Sequence, residues 1–251
     1  MINLKQQLKK NNFTIGSWIT IGHPAIAEIM SQAGFDWLTV DMEHSAITLH
    51  QAQDLIRVIE LCGIVPLVRP GENNPTCIKR VMDAGAHGVI VPMVNSRAEA
   101  EAAVSAVKYP PLGRRGVGLA RAQKYGFGFD EYKKWVENES VVIVQIEHIK
   151  AIENLEAILC TPGVDGTFVG PYDLSGSLGW PGDFDRPEVR QALQHYEDTC
   201  RKMQKPMGFH VVQPDPVMTM NYRRRGYSFV AVGVDMLYLG TKCRETLGGL
   251  K

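Results

Sequence analysis

Eight short apolar runs recur along the chain, each followed by a stretch with helical spacing, and this alternation constrains the fold more than any single motif. The runs lie at 15–21, 37–41, 65–68, 88–92, 141–145, 166–169, 207–212 and 229–232, and the helical stretches at 25–34, 49–61, 75–84, 96–108, 151–159, 187–203, 214–225 and 236–247. The run VVIVQIE, Val141 to Glu147, is almost purely β-branched, as a parallel strand buried on both faces requires. Prolines early in several helices and Gly34, Gly63, Gly85 and Gly226 after several others mark starts and stops in the expected polarity. Strict β/α alternation over 251 residues predicts one α/β domain spanning 1–251, a (β/α)8 barrel rather than a doubly wound sheet. The stretch 109–140, beginning YPPLGRRGVG, is too long for an ordinary connection and is read as a loop over the active site.

Charge and composition exclude several classes of partner. Lys+Arg and Asp+Glu both number 27, which argues against a nucleic-acid or membrane-surface partner. No stretch approaches the roughly 20 apolar residues of a membrane span, and the polar start MINLKQQLKK lacks a signal peptide's apolar region; the expected location is cytoplasmic. The five cysteines, scattered and never in a CxxC pair, predict neither a disulfide framework nor a zinc site.

In a barrel the residues at the carboxyl ends of the strands converge on one pocket. Here they are Asp41, Glu43 and His44, then Arg69, Gln145 and Glu147, Asp173, His210 and Asp235. Glu147 and Asp173 each suit a helix cap as well as a metal site when taken singly, but two carboxylates ending neighbouring strands favour an all-oxygen metal site. His44, in the turn DMEHS beside Asp41, is the candidate base, an imidazole being the usual side chain for that role. Arg69, held between VPLV and a proline, is the candidate oxyanion ligand. His210 and Asp235 are read as structural, and Glu43 is assigned no role. No strand end carries a lysine; Lys150 lies beyond Glu147 at a helix start, so Schiff-base chemistry is not expected.

The motifs DMEHS, VPLVRP, KRVMDAGAHGVIVPMV, YPPLGRRGVG, VQIE and FVGPYDLSGSLG, in this order, closely resemble those of the metal-dependent HpcH/HpaI aldolase family over nearly the whole chain. The resemblance implies a phosphoenolpyruvate/pyruvate-type barrel and cleavage of a 4-hydroxy-2-oxo acid to pyruvate and an aldehyde through a pyruvate enolate. It implies Mg²⁺ or Mn²⁺ as cofactor, with Co²⁺ as a substitute, and a homo-oligomer, usually a hexamer, in which the helix at 236–247 is exchanged between subunits. By the same resemblance Glu147 and Asp173 match the metal carboxylates, Gln145 a glutamine beside metal and substrate, Arg69 the ligand of the keto oxygen, and His44 the base. Asp83 matches the aspartate paired with that histidine, Asp41 an acid near the same turn, and Trp18 a tryptophan lining the pyruvate pocket. Gly170 and Tyr172 match positions whose backbone N–H groups hold the pyruvate carboxylate. The aldehyde pocket is expected in the loop 114–125, with help from a neighbouring subunit, and Arg121 is a candidate ligand for a distal carboxylate. Two competing readings are a citrate-lyase-β-like acyl-CoA lyase and a non-catalytic barrel that binds a 2-oxo acid.

Overall fold

Residues 1–250 are described by a computed structural model. Eight parallel strands, β1 (Thr14–Ile19), β2 (Trp37–Asp41), β3 (Val65–Arg69), β4 (Gly88–Val91), β5 (Val141–Ile146), β6 (Gly166–Val169), β7 (Met207–Val211) and β8 (Phe229–Val234), pair in chain order, and β8 closes on β1. The helices are α1 (Leu4–Lys9), α2 (Pro24–Ser31), α3 (Leu49–Leu61), α4 (Pro75–Asp83), α5 (Arg97–Val107), α6 (Phe129–Asn138), α7 (Ile149–Glu153), α8 (Leu155–Leu159), α9 (Pro171–Ser177), α10 (Pro187–Lys202), α11 (Pro216–Arg224) and α12 (Asp235–Gly248). The predicted barrel is therefore present. The strand bounds agree with the sequence reading to within a residue or two, while α1, α6 and α9 were not anticipated.

Local signals set the helix starts. Thr48 and Gln51 form a reciprocal capping box on α3, Asn74 caps α4 through its side chain, and proline opens α2, α4, α9, α10 and α11.

Period-two alternation along each strand splits the core in two. Outward residues such as Val40, Val68, Val89, Val142, Val144 and Val169 pack under the helices. Inward residues, including Trp37, Leu67, Ile90, Ile143, Phe168 and Phe229, fill the barrel. The Trp37 and Phe229 rings stack at 4.1 Å. Gly16 leaves them the space, because a β-carbon there would lie 2.1 Å from the Trp37 ring. Beneath the barrel, Leu4 and Leu8 of α1 join this inner cluster and plug its amino-terminal end. Lys5 of the same helix donates to the Ser140 carbonyl at 2.9 Å and pairs with Asp165 at 2.8 Å.

At the opposite end the inward positions turn polar. Trp18, Arg69, Gln145 and His210 come from β1, β3, β5 and β7, the alternate-strand layering expected of such a barrel. They form the floor of the mouth.

Candidate active site

Asp41 organises one side of the mouth. Its carboxylate, almost wholly buried at the end of β2, accepts from Arg69 Nε at 2.9 Å and from Arg69 Nη2 at 2.7 Å. It also accepts from the Glu43 and His44 backbone N–H groups, at 3.0 and 3.3 Å, which folds the DMEHS turn back over the strand end. This bidentate clamp fixes the guanidinium plane and leaves Nη1 without a hydrogen bond among the described residues. The guanidinium lies over Trp18, 4.4 Å from the ring centroid. Glu43, which the sequence reading left without a role, comes within 3.2 Å of Arg69 Nε. That nitrogen's single hydrogen is already given to Asp41, so the contact is electrostatic, and Glu43 Oε2 is buried without a hydrogen bond. Burial raises the Glu43 pKa; Arg69 opposes that effect, and Asp41 and Asp173 add to it.

Glu147 organises the other side. It stands just beyond β5, nearly inaccessible; Oε1 accepts from the Met93 N–H at 2.7 Å, and Oε2 takes a close hydrogen bond from the Gln145 side-chain amide. Burial pushes its carboxyl up to about 7, with Glu43 and Asp173 contributing and the two hydrogen bonds opposing. Three carboxylates therefore share one small volume. Asp173, in the exposed first turn of α9, makes no hydrogen bond to a described residue. Gln145 Oε1 and Trp18 Nε1 are buried without partners. These two and Glu43 Oε2 are unpartnered atoms gathered at the mouth, the arrangement that a polar ligand would satisfy.

These oxygens fit a hard divalent cation: Glu147 and Asp173 carry the charge, and Gly170 supplies the cradle. A β-carbon at Gly170 would lie 2.9 Å from Glu147 Cβ and Oε2 and displace the carboxylate. Among the described residues no group of three or more His, Cys, Asp or Glu is arranged to hold a metal ion, so the remaining ligands would be substrate and water.

Three expectations are corrected. Asp83 does not approach His44 within the chain. Helices run back from the mouth, so the carboxyl end of α4 lies at the plugged end, where Asp83 pairs with the buried Arg115 at 2.5 Å. The loop following α5 lies at that same end, because it leads from a helix into the start of β5. It therefore does not cover the mouth of its own barrel, and its second half is the helix α6. Arg121 within it donates to the Ala84 carbonyl at 3.1 Å and pairs with Glu60. Finally, the Gly170 N–H is spent on the Ile146 carbonyl at 3.0 Å, so it cannot hold a substrate carboxylate. The Tyr172 amide, in the first turn of α9 where intrahelical acceptors are lacking, remains available, while its ring is exposed against Phe184.

His44 projects from the turn, its side chain 67% exposed and its Nε2 3.8 Å from Glu43 Oε2. Asp235 has the structural role expected of it, accepting the Thr20 and Ile21 N–H groups at 2.8 and 2.7 Å to seal β1 to β8.

Residues 14–240 match the family model described as HpcH/HpaI aldolase/citrate lyase. The chain belongs to this family. Among similar proteins, the 2-keto-3-deoxy-L-rhamnonate aldolase of Salmonella typhi is 40% identical over 237 residues, covering 93% of this chain and 88% of that protein. The HpcH/HpaI aldolase/citrate lyase family protein of Burkholderia cenocepacia superposes with a TM-score of 0.93 at 31% identity, covering 100% of this chain and 99% of its own. The HpcH/HpaI aldolase of Desulfitobacterium hafniense gives 0.89 at 29% identity, with 99% and 96% covered. The chain is thus an HpcH/HpaI enzyme, a carbon–carbon lyase of the divalent-metal-dependent aldolase class. No helix among the described residues is long and apolar enough to cross a membrane.

Proposed function

We propose that this aldolase cleaves a 4-hydroxy-2-oxo acid reversibly to pyruvate and an aldehyde, with Mg²⁺ or Mn²⁺ as the cation. The observation that carries the reading is the mouth itself, where an arginine clamped by Asp41 faces a buried, metal-suited Glu147 beside an unpaired Asp173. Glu147 and Asp173 would hold the cation, which supplies Lewis-acid stabilisation of charge developing on the 2-oxo acid. The Tyr172 amide and Trp18 Nε1–H donate to the acid, while Gln145 Oε1, an acceptor, is left for a water or a hydroxyl of the substrate. Arg69 Nη1 donates to the keto oxygen, and this bond strengthens as the oxygen becomes an enolate. His44, open to solvent, takes the proton from the C4 hydroxyl as the C3–C4 bond breaks; the bonding pair passes to C3 of the enolate, and the other fragment departs as the aldehyde. Protonation at C3 then gives pyruvate.

Asp83 and the loop 114–125 enter this scheme only from a neighbouring subunit. In support of such an assembly, the loop exposes Leu119, Tyr125 and Phe127, the last 95% accessible, and α12 exposes Met236, Leu239 and Leu247. Arg115 Nε and Gln123 Oε1, both in this loop, are likewise buried without partners. A homo-oligomer, a hexamer by resemblance, would bring Asp83 to the next subunit's His44.

The test is hydrogen–deuterium exchange of the pyruvate methyl group in D₂O, followed by NMR with Mg²⁺ or Mn²⁺ and again with chelator. Exchange that requires the metal is the expected result. Its absence with every divalent cation tried would overturn the pyruvate reading.

A further inference from the structure

His210 is an inward-facing imidazole in the floor of the mouth that the chemistry above does not use. Its Nε2 lies 2.9 Å from the Gly233 carbonyl oxygen, and a carbonyl can only accept, so the ring proton sits on Nε2. Nδ1 consequently carries a bare lone pair, and it takes no hydrogen bond from a described residue. His210 is intermediate in exposure and lies in the carboxyl-terminal half of β7 on its inward face, the part of the strand nearest the mouth. Its centroid is 5.7 Å from that of Trp18, on which the Arg69 guanidinium rests. Burial holds the imidazole down at about 4, with the Arg69 charge acting in the same direction, so the ring is neutral and an acceptor near pH 7.

Resting on the 2-oxo-acid reading above, the role of His210 follows from the shape of the ligand. With its oxygens toward Arg69, Glu147 and Asp173, the acid turns C3 to the remaining wall, which Trp18 and His210 provide. We propose that His210 is a specificity residue for the donor acid: its Nδ1 accepts a hydrogen bond from a hydroxyl on C3, so the site takes a 3-hydroxy-2-oxo acid in preference to its alkyl isostere. An aliphatic residue at this position would offer the hydroxyl nothing and leave it desolvated.

The probes are hydroxypyruvate and 2-oxobutyrate, which differ by a hydroxyl against a methyl, with pyruvate as the reference. Deuterium exchange at C3 is measured for all three with Mn²⁺ in wild type, His210→Leu, His210→Gln and His210→Asn. Wild type is expected to favour hydroxypyruvate over 2-oxobutyrate by about tenfold in kcat/KM, the worth of one well-made hydrogen bond. Leu and Gln place no acceptor at the δ position and lose that preference, whereas the Asn Oδ1 takes the place of Nδ1 and keeps most of it. Because the readout is a ratio within one preparation, partial misfolding of a variant does not mimic the effect. A direct signature accompanies it: the ¹⁵N resonance of Nδ1 moves on adding hydroxypyruvate and stays in place with 2-oxobutyrate. A preference that survives in His210→Leu, or an Nδ1 resonance indifferent to hydroxypyruvate, overturns the assignment. Loss of pyruvate exchange from the wild type would instead implicate the underlying reading.

Discussion

The two ends of the barrel both bury charge, but they treat it in opposite ways. At the plugged end Lys5 is matched by Asp165 and the Ser140 carbonyl, and the Asp165 carboxylate also accepts the Val142 N–H at 2.9 Å. Lys108, whose amine burial drives down to about 8, gives hydrogen bonds to the Val136 and Glu137 carbonyls and to the Ser140 hydroxyl. At the mouth, Glu43 Oε2, Gln145 Oε1 and Trp18 Nε1 are buried with no partner, and Glu147 is held where burial disfavours its charge. The plugged end has unpartnered atoms too, Arg115 Nε, Gln123 Oε1 and Ser228 Oγ, but its buried charges are paired, whereas at the mouth a buried carboxylate oxygen is left open, as a site that takes a ligand requires. The difference separates the end that holds the fold together from the end that does the chemistry.

Substitutions on either side can break that division. Glu147→Gln should have the largest effect, reducing metal-dependent pyruvate exchange by ~10³-fold or more, as expected for loss of a metal ligand whose ion stabilises the enolate. The same change should stabilise the metal-free protein at pH 8. A carboxyl raised to about 7 in the fold contributes stability that is fully present below its ordinary value and is lost as pH rises through about 7, and Gln removes that loss. A lowered urea midpoint for Glu147→Gln would contradict the division.

Arg69→Ala should lower kcat by ~10²–10³ with little change in KM, because its partner charge develops in the transition state. Equal kcat for variant and wild type would remove Arg69 from the chemistry. Lys5→Ala probes the other end. It should cost about 3 kcal/mol in urea unfolding by leaving Asp165 buried beside a vacated partner, while exchange per folded molecule stays at the wild-type rate. The smallest effect concerns pH. If Glu147 is a metal ligand as proposed, only its ionised form binds, so apparent metal affinity should be flat above about pH 7 and fall roughly tenfold per unit below it, measurable by calorimetry.

Much of this division was legible before any coordinates. Asp41, Arg69, Gln145 and Glu147 were picked out because a polar residue ending an apolar run is a local pattern, and the barrel turns that pattern into convergence. The misplaced loop was legible too. A segment that follows a helix and precedes a strand belongs to the amino-terminal face, whatever its length. That Asp83 sits at the plugged end of its own barrel follows from α4 running back from the mouth, and a motif match carries no information about which end of a helix faces the mouth.

What the sequence by itself determined is the repeating β/α frame, the family and the polar strand ends, since periodicity and motif order are properties of the chain. Tertiary structure decided where each hydrogen bond is spent: Arg69 clamped by Asp41, the Gly170 N–H consumed by the Ile146 carbonyl, and the His210 proton fixed on Nε2 by Gly233. These commitments join residues far apart in the chain, and a donor used in one place is unavailable in another. They depend on packing that no local pattern encodes.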